Sequence, residues 1–266
     1  MKFKCYLCGN TSAEVVADKK TIRFNVDKTV FKCLRCDLIQ MYPNEELSYN
    51  GYSNKKDFKG HKIKIRPLPK WLFSKITPEM RILEVGCGNG SNISTLNSLG
   101  LNACGIDADP TCKGDKIVHM DWNDFRTPMK FDVIFGIHFL EHVSDPHLFL
   151  EWVMKNLKKN GRFLFEVPSV DDPLIKFYKN KAYNKFCWYP YHMFFYSKKT
   201  LESIFIGLDF NVIRKQEYGL INHLRWAIMG KPGNWNPNVR ILDTIYKWVL
   251  IKLGYSDSLI VVGENV

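Results

Sequence analysis

The hydrophobic positions change period along the chain. From residue 81 onward, short apolar runs alternate with segments whose apolar residues recur every three to four positions. Arg81–Val85 (RILEV), 102–106, 116–119, 133–136 and 162–167 read as strands, and 90–99, 145–159 and 198–207 as helices. Asn160-Gly161 predicts a helix stop ahead of the strand 162–167. The tail adds a strand at 211–217, a Trp-rich segment over 220–253 and a last strand at 258–263. Within that segment 241–253 (ILDTIYKWVLIKL) has helical spacing with Lys247 and Lys252 interleaved, which predicts an amphipathic helix that packs on the domain or a partner. Upstream, 21–30 alternates as in a hairpin, and 46–70, rich in Tyr, Asn, Lys and Gly, reads as a connector. Strand–helix alternation over most of the chain predicts a doubly wound α/β domain behind a small N-terminal module.

Composition supports a folded chain. Hydrophobic residues make up 45% and aromatics 14% of 266 residues, enough for one medium α/β domain plus an appendage. No apolar run has the length of a membrane span, and MKFKCYLCGN lacks the pattern of a secretory leader, so a cytoplasmic protein is expected. The net charge of +11 suits an anionic partner. The basic residues are nevertheless dispersed, without a run of five, which argues against a nucleic-acid stripe.

Eight cysteines in such a chain point to metal or free thiols before disulfides. Four form two matching pairs, Cys5-Tyr6-Leu7-Cys8 and Cys33-Leu34-Arg35-Cys36. Each such pair supplies two thiolates from one tight turn, and two pairs complete a tetrahedron. Cys5, Cys8, Cys33 and Cys36 are therefore expected to hold a closed, structural zinc ion that folds the module and takes no part in chemistry. Cys87, Cys104, Cys112 and Cys187 read as packing thiols.

Strand Arg81–Val85 runs into Gly86-Cys87-Gly88-Asn89-Gly90 and then a helix, which places glycines where a ligand meets the backbone. The dinucleotide fingerprint G-x-G-x-x-G does not fit, because Ser91 stands at its last glycine. Glu84 at the mouth would repel a pyrophosphate and attract a cation such as a sulfonium or an ammonium. Asp107 ends the next strand, where an acid reads ribose hydroxyls. Asp121-Trp122 follows the third strand, and the fourth runs into His138-Phe139-Leu140-Glu141-His142-Val143.

The E-V-G-C-G-N-G loop, Asp107, Asp121 and the phrase L-E-H-V-S-D-P at 140–146 together resemble the class I S-adenosylmethionine-dependent methyltransferases. The resemblance implies a Rossmann-like seven-stranded fold whose last strand is antiparallel and inserted near the sheet edge. It implies Glu84, Gly86, Cys87, Gly88 and Gly90 at the methionine end of the cofactor, Asp107 at the ribose, and Asp121 with Trp122 at the adenine. His138 would also lie on the cofactor side. The implied domains are a zinc-ribbon-like module over 1–45, a connector and acceptor-side cap over 46–80, and the methyltransferase domain over 81–266 with a helical Trp-rich insertion at about 220–253.

Methyl transfer to a hydroxyl or carbon acid requires a base, and histidine suits neutral pH. His192, in Tyr191-His192-Met193-Phe194-Phe195-Tyr196, is the first candidate, and His142 is the second. The stretch 43–52 (PNEELSYNGY) behind a cysteine module resembles methyltransferases of nucleotide-sugar and polysaccharide clusters. By that resemblance Tyr49, Tyr52 and Tyr191 would contact the acceptor, and the reaction would be O-methylation of a small phosphorylated or nucleotide-linked precursor of a capsule or O-antigen glycan. Sugar C-methylation and zinc-finger ribosomal RNA methylation are the alternative readings. A second large C-terminal domain, which the sugar C-methyltransferases carry, is missing from these 266 residues.

Overall fold

The computed structural model describes residues 3–17, 29–42, 76–112, 114–172, 175, 192–218, 249, 252–256 and 258–266. The connector 46–70, the aromatic residues Tyr49, Tyr52 and Tyr191, and nearly all of 220–253 lie outside them.

Two sheets organise the chain. The larger has seven strands: β4 (Arg81–Val85), β5 (Asn102–Asp107), β6 (Ile117–His119), β7 (Phe131–Ile137), β8 (Leu157–Pro168), β10 (Phe210–Tyr218) and β11 (Ser258–Asn265). Their spatial order is β10-β11-β8-β7-β4-β5-β6. The pairs β4–β5, β5–β6, β4–β7 and β7–β8 are parallel, while β11 runs antiparallel to both β8 and β10. The last strand is thus inserted second from one edge, as expected.

The strands read as near-continuous apolar runs because both faces of the sheet are covered. Leu83, Val85, Ile134, Phe163, Phe165, Leu259 and Val261 enter one core. Ile82, Val133, Phe135, Leu164, Ile260 and Val262 enter the other. Helix α1 (Ser91–Ser98) covers the second face with Ile93 and Leu96. Helices α2 (Pro146–Asn156) and α3 (Lys198–Ile204) cover the first with Phe149, Leu150, Val153, Leu201 and Ile204. Among the described residues, no helix is long and apolar enough to cross a membrane.

The smaller sheet has the order β1-β2-β3-β9, from β1 (Ala13–Ala17), β2 (Thr29–Cys33), β3 (Ile39–Tyr42) and β9 (Phe194–Phe195). Strands β1 and β2 pair antiparallel from Ala13 opposite Cys33 to Ala17 opposite Val30, and most of the hairpin expected at 21–30 lies outside the described residues. The fourth strand comes from far along the chain, with Ile39 opposite Phe195 and Gln40 opposite Phe194. Cys5, Cys33 and Leu38 share the core of the large sheet's first face, so the cysteine module is packed onto the domain.

The helix stop falls earlier than Asn160-Gly161 predicts. Helix α2 ends at Asn156, and buried Leu157 already pairs with Phe131 as the start of β8. Asn160 takes a left-handed φ of 60° inside the strand's irregular opening, so the pair marks a bend there and not a cap.

Gly263 in β11 faces the ring of Phe163, and a Cβ there would stand 2.3 Å from Cε1 and 2.4 Å from Cζ. Since ring and strand are both buried, Gly263→Ala should lower stability by about 1–3 kcal/mol, read as a lower Tm.

Candidate active site

The carboxyl ends of β4, β5 and β7 lie side by side, and most of the chemistry-bearing residues follow them. The loop after β4 is tied to its neighbour: Gly86 and Cys87 N–H groups donate to the Ile106 carbonyl at 2.9 and 3.2 Å. Gly88 N–H donates to Asp107 Oδ2 at 2.7 Å, and Gly90 N–H to the Cys87 carbonyl at 2.9 Å. These amides are already partnered, which leaves the loop poorly suited to cradle a pyrophosphate. Two glycines are required sterically. Gly86 has φ 69° with the Phe139 ring 2.3 Å from where a Cβ would be, and Gly90 has φ 71° with Ile117 Cδ1 equally close.

Glu84 is 2% exposed. Its Oε1 accepts from Asn92 Nδ2 at 2.6 Å, while Oε2 has no partner. Burial pushes its carboxyl up to about 8, the Asn92 amide pulls it back, and the nearby Asp107 charge raises it further. Asp107 meanwhile braces the backbone with both oxygens, Oδ1 accepting from Asp109 N–H at 2.8 Å. Asp121 Oδ1 accepts from Asn123 N–H at 2.8 Å. Trp122, expected as an adenine platform beside it, lies 8% exposed in the core, edge-on to Phe149 at 5.1 Å and Trp152 at 6.0 Å. That indole serves packing, which leaves Asp121 rather than Trp122 facing outward at this corner.

A second group follows β7. Residues 140–142 form a single 3-10 turn that places Glu141 inward, 1% exposed, its carboxylate facing imidazoles. His138 Nδ1 stands 3.5 Å and His192 Nε2 4.0 Å from Glu141 Oε1. The His142 and His192 rings meet edge to face at 4.8 Å. His138, left-handed at φ 54° and partly exposed, also lies 3.9 Å from Glu166 Oε1. Burial resists ionisation of Glu141, but His138, His142 and His192 together hold its carboxyl below the usual range. Burial and then His142 push the His192 imidazole down to about 3, against the pull of Glu141. His192, the first candidate for a base, is thus a neutral interior side chain, 3% exposed, and His142 is the more accessible of the two.

The cysteines converge as the spacing predicts. Cys5 and Cys36 Sγ are 3.5 Å apart, Cys8 and Cys33 Sγ 3.6 Å, and all four lie within 4.8 Å of one another. Four thiolates at about 2.3 Å from one tetrahedral ion would stand about 3.8 Å apart, so the donor set and spacing fit such an ion. Burial raises the Cys36 thiol to about 11, whereas at Cys33 the backbone amides of Cys36 and Arg35 outweigh burial and lower it to about 6. Among the described residues Cys87, Cys104 and Cys112 form no disulfide, and Cys187 lies outside the described residues.

The structure adds residues that sequence reasoning did not single out. Asn92, the second residue of α1, donates to one carboxylate oxygen of Glu84. Glu141 was legible only as a letter of the L-E-H-V phrase, and its burial among three imidazoles carries no sequence signal. Tyr6, inside the first cysteine pair, joins its hydroxyl to Asp145 and His147.

A family model described as a methyltransferase domain matches residues 61–215 of the chain. The chain belongs to this methyltransferase family. The ubiquinone biosynthesis O-methyltransferase of Bartonella tribocorum is 33% identical over 95 residues, 31% of this chain and 38% of that protein. Its mitochondrial namesake in Schizosaccharomyces pombe is 30% identical over 104 residues, 34% of this chain and 38% of that one. The alignments thus span well under half the length of these curated relatives, and neither name concerns polysaccharide. Among solved structures, an S-adenosylmethionine-dependent methyltransferase from Archaeoglobus fulgidus matches with a TM-score of 0.54 at 18% identity, covering 82% of this chain and all of that one, which shows the shared fold.

The methyltransferase carries its own electrostatic test. The Glu84 carboxyl ionises near 4.5 in the unfolded chain and near 8 in the folded one, so between these values the folded state holds more protons. Stability then falls as pH rises through that window. Glu84→Gln, free of the buried charge, should melt higher than the parent at pH 8, with the gap closing toward pH 4.5.

Proposed function

We propose that this methyltransferase acts on a hydroxyl of a small anionic acceptor, a phosphorylated or nucleotide-linked precursor of a surface glycan, in the cytoplasm. The observation that carries the reading is the Glu141–His142–His192 group at the end of β7, the strand beside the glycine loop's own β4. A buried carboxylate with two imidazoles can take up a proton from a hydroxyl as it is alkylated. The names of the curated relatives support O-methylation, and the dispersed positive charge of +11 favours an anionic acceptor over a nucleic-acid stripe. The resemblance of 43–52 to glycan-cluster methyltransferases supports the acceptor class, with Tyr49, Tyr52 and Tyr191 as its contacts.

In this reading Glu84 pairs with the cofactor's ammonium group, Gly86, Cys87, Gly88 and Gly90 line its methionine end, and Asp107 takes the ribose hydroxyls. Asp121 reads the adenine, and His138 closes the cofactor side. When bound, the cofactor supplies an electrophilic methyl group on sulfur. The chain aligns the acceptor oxygen with that carbon and removes the proton. His142, half-buried, reaches the acceptor, while His192 stays neutral behind it and Glu141 stabilises the imidazolium that forms. Cys5, Cys8, Cys33 and Cys36 hold one structural zinc ion with no open position for chemistry.

Labelled S-adenosylmethionine incubated with a cell extract should place label in the nucleotide-sugar and small-phosphate pool. Label in RNA instead would replace the glycan reading by an RNA one. With an acceptor isolated, His142→Ala should lower turnover by about 10²-fold or more while adenosylhomocysteine affinity stays put. Unchanged turnover would remove His142 from the mechanism. Separately, metal analysis should find about one zinc per chain, lost together with cooperative folding when Cys33 and Cys36 are replaced by serine.

A further inference from the structure

Tyr6 sits between two of the four clustered cysteines, so the turn that gathers the thiols also aims its ring. Its hydroxyl donates to Asp145 Oδ1 at 2.5 Å and accepts from His147 N–H at 3.0 Å. Asp145 is the N-cap of α2, its Oδ1 also accepting from Leu148 N–H at 3.0 Å, and lies three residues past His142. The same ring packs edge-on against Phe194 at 5.1 Å, two residues past His192. Its backbone N–H donates to buried Gln40 Oε1 at 2.8 Å, and Gln40 stands opposite Phe194 in the β3–β9 ladder. One side chain of the cysteine turn therefore touches both segments that carry the paired histidines.

We propose that Tyr6 is a positioning residue of the methyltransferase, fixing the His142 segment against the His192 segment so that their rings meet at the observed angle. The cysteine module then acts on the reaction through this contact, beyond its part in holding the N-terminus folded. Two independent links support the assignment. The hydroxyl bonds set the start of α2, and the ring contact with Phe194 sets β9. The proposal rests on the reading of the histidines as acceptor-side groups, and its test separates the two.

The test uses the full-length, zinc-loaded protein with nitrogen-15 in its histidine rings. Tyr6→Phe keeps the ring packing and removes both hydroxyl bonds. The ring signals of His142 and His192 should shift or broaden, while zinc content stays at parent level and adenosylhomocysteine Kd changes by less than about twofold. With an acceptor in hand, kcat should fall about tenfold with little change in KM, the signature of misplacement. Phe3→Leu, which alters the module where that ring meets Phe31 and Tyr42, is the comparison. Histidine signals identical to the parent in Tyr6→Phe, or the same shifts in Phe3→Leu, would overturn the positioning role. Absence of transfer by the parent protein would sink the acceptor reading, leaving the histidine signals to decide this one.

Discussion

The peptide group of Met193 is where the two halves of the molecule are joined. Its N–H donates to the Glu141 carbonyl at 2.7 Å, and its carbonyl accepts from Met41 N–H at 2.8 Å. Through that one residue the turn after β7, the segment bearing His192 and the third strand of the small sheet become a single hydrogen-bonded line. Backbone groups buried this deeply must be paired, so the line cannot slip without orphaning several of them at once. Together with the Tyr6 contacts of the cysteine module, it holds the His192 segment against the turn that carries His142.

Two buried carboxylates stand at the carboxyl ends of neighbouring central strands. Elsewhere the large sheet is closed by Val, Ile, Leu and Phe on both faces. At the carboxyl ends of β4 and β7, by contrast, Glu84 and Glu141 are enclosed, Glu84 with one oxygen that has no hydrogen-bond partner. Such groups cost stability, and a fold keeps them where a ligand or a reaction needs charge. The two sites differ in sign of response. Glu84 is driven toward its neutral form by burial, with the Asp107 charge adding to it, whereas Glu141, though buried, is held toward its charged form by the surrounding imidazoles.

The sequence by itself determined the doubly wound sheet, because a parallel sheet buried on both faces writes continuous apolar runs separated by helical periods. Arg81–Val85 came out residue for residue, and the antiparallel last strand was legible as an apolar run beyond the tail segment. The cysteine cluster was legible because metal-ligand spacing is local, and the glycine loop because its backbone shape demands particular residues. Tertiary structure alone decided what depends on distant partners. No local pattern pairs β9 with β3, turns Trp122 into the core, buries His192 ahead of His142 or encloses Glu141 among three imidazoles. These follow from which surfaces meet once the sheet has formed, and burial and electrostatic environment belong to the meeting and not to the segment.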